Sequence, residues 1–92
     1  MTPEAAETTG LKALGWLISD EDLLGAFMGS TGVSAEDLRR GAGDPGTLAS
    51  VLAFITMDDA WVRRFCDAEG LPYGAPLAAL RALPGGDEMN WT

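Results

Sequence analysis

Residues 48–57 read Leu48-Ala-Ser-Val-Leu-Ala-Phe-Ile-Thr-Met57 and carry no charge. Leu48, Val51, Leu52 and Ile55 recur at i, i+3, i+4 and i+7, the stripe of an α-helix, while Ala49, Ala53, Phe54 and Met57 widen the apolar arc beyond one face. A helix apolar over most of its circumference must be covered by other helices. The stretch therefore predicts the most buried helix of an all-α bundle. Pro45 and Asp58-Asp59 bound it, well short of the about 20 apolar residues that a membrane span needs.

Working outward, Asp44 and Pro45 supply a cap and a first-turn proline for this helix, and Gly41, Gly43 and Gly46 make the segment before it a hinge between two halves. Ser34-Ala35-Glu36-Asp37 has the form of a capping box with Asp37 in the acidic place, and starts a short helix to about Arg40 with Leu38 inward. Asp20-Glu21-Asp22 opens an earlier amphipathic helix with Leu23, Leu24, Phe27 and Met28 apolar, which Gly32 stops. Before it, Thr2-Pro3-Glu4 starts a helix ending near Ser19, with Leu11, Leu14, Trp16, Leu17 and Ile18 as its apolar face. On the other side, Asp58-Asp59 begins a helix with Trp61, Val62, Phe65 and Cys66 inward and Arg63 and Arg64 opposite, ended by Gly70. A last helix over about residues 75–83 places Leu77, Leu80 and Leu83 on one side. No alternating β pattern of useful length occurs, and residues 85–92 show no period.

The expected fold is a single all-α domain over residues 1–92, a compact bundle of five or six short helices. Setting Leu14 against Leu52 aligns Asp20 with Asp58, Phe27 with Phe65 and Gly32 with Gly70. Two pseudo-repeated three-helix units, 3–43 and 45–84, are one account of this match. The other is that amphipathic helical hairpins resemble one another through patterning alone. Under both, Phe27 and Phe65 are core anchors, and Gly32 and Gly70 take positive φ.

Composition bounds the function. Hydrophobic residues make up 47% of 92, enough for a folded domain. Fourteen acidic against six basic side chains give a net charge of −8, which repels phosphate backbones and anionic lipid heads. Histidine is absent, removing the commonest metal ligand and neutral-pH acid-base group. Cys66 is the single cysteine, so no internal disulfide forms, and Met1-Thr-Pro-Glu-Ala-Ala-Glu7 lacks the basic and apolar regions of a signal peptide. The cytoplasm is the expected location, without membrane contact.

Each candidate chemistry has a simpler account beside it. Asp20-Glu21-Asp22 and Asp58-Asp59 would bind a hard cation only if their turns converged, whereas helix N-termini favour acids in any case. Cys66 lies on an apolar face, where a thiol is inert filling unless an activating neighbour is exposed beside it. Arg39-Arg40 and Arg63-Arg64 are the basic pairs; a nucleic-acid surface would need all four in one stripe inside a basic field. Trp91 either folds back into a groove between helices, the preferred account, or anchors a partner, since tryptophan is a frequent hot-spot residue.

Thr2-Pro3-Glu4-Ala5, Asp22-Leu23-Leu24 with Phe27, Phe65-Cys66 followed by Gly70-Leu71-Pro72, and Leu83-Pro84-Gly85-Gly86-Asp87 with Trp91-Thr92 make the chain resemble a small family of uncharacterised bacterial proteins. That family is a helical domain of unknown function about ninety residues long. The resemblance implies a compact helical domain of the bacterial cytoplasm and brings no activity, cofactor or catalytic residue with it.

The first expectation is accordingly a non-enzymatic protein-interaction or regulatory module, contacting an unknown protein partner or a second copy through Trp91, Arg63, Arg64, Arg39 and Arg40. No catalytic, metal-binding or cofactor-binding residue and no cofactor are assigned. The alternative is a small enzyme or metal-dependent protein using the clustered aspartates, and a helix-turn-helix nucleic-acid binder ranks last.

Overall fold

Five short polar side chains set the starts of five helices. In the computed structural model, which describes residues 1–84, Thr2 Oγ1 accepts from the Ala5 N–H at 3.1 Å and opens α1 (Pro3–Ser19). Asp20 accepts from Leu23 and opens α2 (Glu21–Thr31); Ser34 accepts from Asp37 and opens α3 (Ala35–Arg40). Asp44 accepts from Gly46 ahead of α4 (Pro45–Thr56), and Asp58 accepts from Ala60 and Trp61 ahead of α5 (Asp59–Glu69). Each cap satisfies N–H groups that the helix itself leaves without partners. Proline stands in the first turn of α1, α4 and the last helix, α6 (Ala75–Ala82), where no N–H is required.

Glycine stops two helices. Gly32 (φ 76°) and Gly70 (φ 68°) are the positive-φ residues among those described, and both sit where a side chain would strain the left-handed backbone. After Gly70 the Leu71 N–H reaches back to the Cys66 carbonyl at 2.9 Å, which closes the end of α5 and reverses the chain.

These six helices form an all-α bundle, and no strand occurs among the described residues. Helices α1, α4 and α6 pack against one another; α2 lies on α1, and α5 on α4. The radius of gyration of 11.8 Å matches the about 12 Å expected of a folded chain this long. Leu48, Val51, Leu52 and Ile55 are each at most 2% exposed, so α4 carries the core the sequence assigned to it. Burying such side chains contributes about 1.5 to 3 kcal/mol apiece. Phe27 and Phe65 are buried as expected.

Four expectations are corrected. Met57 is 75% exposed, because α4 ends at Thr56 and Met57 is its C-cap rather than a turn of its apolar arc. The buried stripe of α1 is Ala6, Thr9, Gly10, Ala13, Leu14 and Leu17, and Leu11 points to solvent. In α6 the buried residues are Ala75, Pro76 and Ala79, followed by Leu83, which turns Leu77 outward. Gly41–Gly43 form a 3₁₀ turn packed on α4 instead of an open hinge, and a Cβ at Gly41 would collide with the Thr47 side chain.

Candidate interaction face

Helix α5 is the most sharply two-sided element of the chain. Trp61, Val62, Phe65 and Cys66 face the bundle, and Ala60, Arg63, Arg64 and Asp67 recur at i, i+3, i+4 and i+7 on the exposed side. Its inner face is fixed by aromatic packing. Trp61 stacks on Phe54 with ring centres 4.8 Å apart, Phe54 meets Phe27 edge-on at 5.2 Å, and Phe65 lies 5.6 Å from Trp16. Such contacts are worth about 0.5 to 1.5 kcal/mol beyond burial, so the outer face is held in a defined orientation.

Two exposed side-chain hydrogen bonds join this face to its neighbours. Arg64 Nη2 donates to Asp20 Oδ2 at 2.9 Å, with the guanidinium centred 5.8 Å above the Trp16 ring. Asp20 thereby uses both carboxylate oxygens, since Oδ1 caps α2. The Leu23 N–H, more than Arg64, holds its carboxyl below the ordinary carboxylate range. At the other end, the turn after Gly70 returns the Tyr73 hydroxyl to Asp67 Oδ1 at 2.8 Å. That bond to a carboxylate, with the carboxylate's charge, pushes the Tyr73 phenol above its usual pKa. Arg63, one residue before Arg64, forms no ion pair among the described residues.

The face thus carries two of the five residues expected to bind a partner. Arg39 and Arg40 are exposed on α3, where Arg40 pairs with Glu36 at 2.8 Å, and no hydrogen bond or ion pair joins them to the α5 arginines among the described residues. Trp91 lies outside the described residues. Helical spacing pointed to Arg63 and Arg64 but missed Asp67, Tyr73 and the flank of Trp16. Tyr73 reaches Asp67 only through the left-handed turn at Gly70, which periodicity does not register. Trp16, expected on the apolar face of α1, is half-buried against the core and also serves as the shelf for Arg64.

Other candidate groups have structural duties. Asp20 and Asp58 are helix caps, and no three Asp, Glu or Cys side chains among the described residues are grouped to hold a metal ion. Cys66 is fully buried with its Sγ–H toward the Pro72 carbonyl at 3.4 Å, and burial raises its pKa. No helix among the described residues is long and apolar enough to cross a membrane.

Against known proteins, residues 3–86 match the model of one family, described as "Protein of unknown function (DUF3572)". Neither a curated protein nor a solved structure matches the chain.

Proposed function

The chain belongs to this family of unknown function, and on that footing we propose that it acts as a non-enzymatic protein-interaction module whose contact surface is the outer face of α5. One observation carries the proposal. The two side chain to side chain hydrogen bonds that span more than four residues of sequence among the described residues, Arg64 to Asp20 and Tyr73 to Asp67, both lie on this exposed face. Arginine, tyrosine and tryptophan are the residue types that dominate binding energy at interfaces. Fixing them before contact lowers the ordering cost of association. Polar bonds at an exposed surface contribute little to stability, so a contact role accounts for their concentration here better than a folding role does.

The test compares proteins retained by the immobilised wild-type chain with those retained by Arg63→Asp and by Tyr73→Ala, using Lys12→Glu on α1 as the control. Circular dichroism verifies that all four are folded. A defined partner lost with both α5 variants and kept by the control is the expected result. A partner kept equally by the wild type and all three variants would place the contact elsewhere and refute the assignment.

A further inference from the structure

We infer that α2 is a flap: it opens and unfolds by itself while the rest of the bundle stays folded, uncovering one side of Phe54 in α4. The Arg64 bond to Asp20 is its latch. This holds whether or not the α5 face meets a partner.

Helix α2 is weak by its own composition. Gly25 and Gly29 stand inside it, both exposed, and nothing among the described residues lies within 4 Å of a Cβ placed at either. Neither glycine gains a close contact for the helix propensity it gives up, and each weakens the helix by about two- to fivefold relative to alanine. Ser30 and Thr31 follow in the last turn, with their hydroxyls donating back to the carbonyls of Ala26 and Phe27.

Packing does not make up the loss. Leu23 and Phe27 are the buried residues of α2, against six in α4. Helix α5 also buries two, Phe65 and Cys66, but it contains no glycine and is fixed by the Trp61–Phe54 and Phe65–Trp16 pairs. Helix α2 has one aromatic anchor among the described residues, the Phe27 ring set edge-on to Phe54 at 5.2 Å. Both ends let the chain turn away: Asp20 is extended and Gly32 left-handed (φ 76°), so no helical turn continues from α2 into α1 or α3. When α2 leaves, Phe54 loses Phe27 and keeps its stack on Trp61.

Asp20 carries the latch. Its Oδ1 accepts from the Leu23 N–H in the first turn of α2, and its Oδ2 accepts from Arg64 Nη2 at 2.9 Å, so the arginine steadies the carboxylate in the pose that caps. An exposed ion pair adds little to a whole fold. On a helix held by two buried side chains, the same bond sets the open population within a few-fold.

Native-state hydrogen exchange of the full chain at low urea, read at the amides of α2 and α4, tests both parts. The α2 amides should share one opening equilibrium whose urea dependence is smaller than that of the α4 amides. Two alanine variants then separate local from global opening. Gly25→Ala lies in the flap and should slow exchange of α2 and α4 alike, by about two- to fivefold. Gly15→Ala lies in α1, which stays folded when α2 opens, and should slow α4 while leaving α2 unchanged. Arg64→Ala should speed α2 exchange a few-fold, whereas Arg63→Ala, at a position without an ion pair among the described residues, should not. All four positions are exposed, so the variants retain the core. One common urea dependence for α2 and α4, or a Gly15→Ala variant that slows both helices equally, would make α2 part of a single cooperative unit and overturn the flap. Exchange of α2 that is indifferent to Arg64→Ala, or equally sensitive to Arg63→Ala, overturns the latch.

Discussion

Gly10 and Gly15 lie five residues apart in α1 and meet opposite surroundings. A Cβ at Gly10 would come within 2.9 Å of Leu48 Cβ, where α1 crosses α4, whereas nothing lies within 4 Å of the position at Gly15. Gly15→Ala should therefore stabilise the fold by about 0.5 to 1 kcal/mol through helix propensity. Gly10→Ala should destabilise it, because overpacking costs about 1 to 3 kcal/mol and exceeds that gain. Equilibrium urea unfolding of the two variants checks the pair by the sign of each change. Phe65→Ala, at a fully buried site against Trp16, should cost about 3 to 5 kcal/mol in the same measurement. Cys66 should label with a thiol reagent no faster than the protein unfolds, and rapid labelling of the native chain would contradict its burial. At this scale the sequence was legible wherever a residue's role is local. The buried states of Phe27 and Phe65 followed from their helical faces. The role of Gly10 did not, since periodicity identifies the face of a helix but not how closely another backbone approaches it.

Helix boundaries were the most readable feature, because a cap and its N–H lie within three residues of each other and depend on no distant contact. Thr2, Asp20, Ser34, Asp44 and Asp58 all cap as their residue types indicate. In α6 the buried stripe runs through Ala75, Ala79 and Leu83 at i, i+4 and i+8, packed with α1 and α4, and leaves Leu77 on the outer side although Leu80 and Leu83 face inward as the sequence suggests. The Asp20 cap has a consequence for pH. Its folded pKa lies below the ordinary 3.8, so the stabilisation it gives is present above that value and is lost as pH falls through the folded pKa. In Asp20→Ala the acid limb of the stability curve below about pH 4 should be shallower than in the wild type, as followed by melting temperature against pH. An identical limb would show that the cap and the Arg64 tie do not discriminate the two ionisation states. Helix α2 also carries exposed Gly25 and Gly29 away from other atoms, whereas α4 is buried on most sides. Amides of α2 should exchange hydrogen well before those of α4, which open only with the whole molecule.

For the whole molecule, stability and contact fall on different helices. The core centres on α4, and the candidate face belongs to α5, whose inner side is anchored to that core through Phe54 and Trp61. Fold class and core were legible because they follow from apolar periodicity. The face was half legible: Arg63 and Arg64 could be read from spacing, but Trp16, Asp20 and Tyr73 join them only through the folded path of the chain. The most direct test of the account is the capture comparison of the wild-type chain with Arg63→Asp and Tyr73→Ala. A defined partner lost from both α5 variants and kept by Lys12→Glu is predicted; equal retention by every one of these proteins would contradict the account.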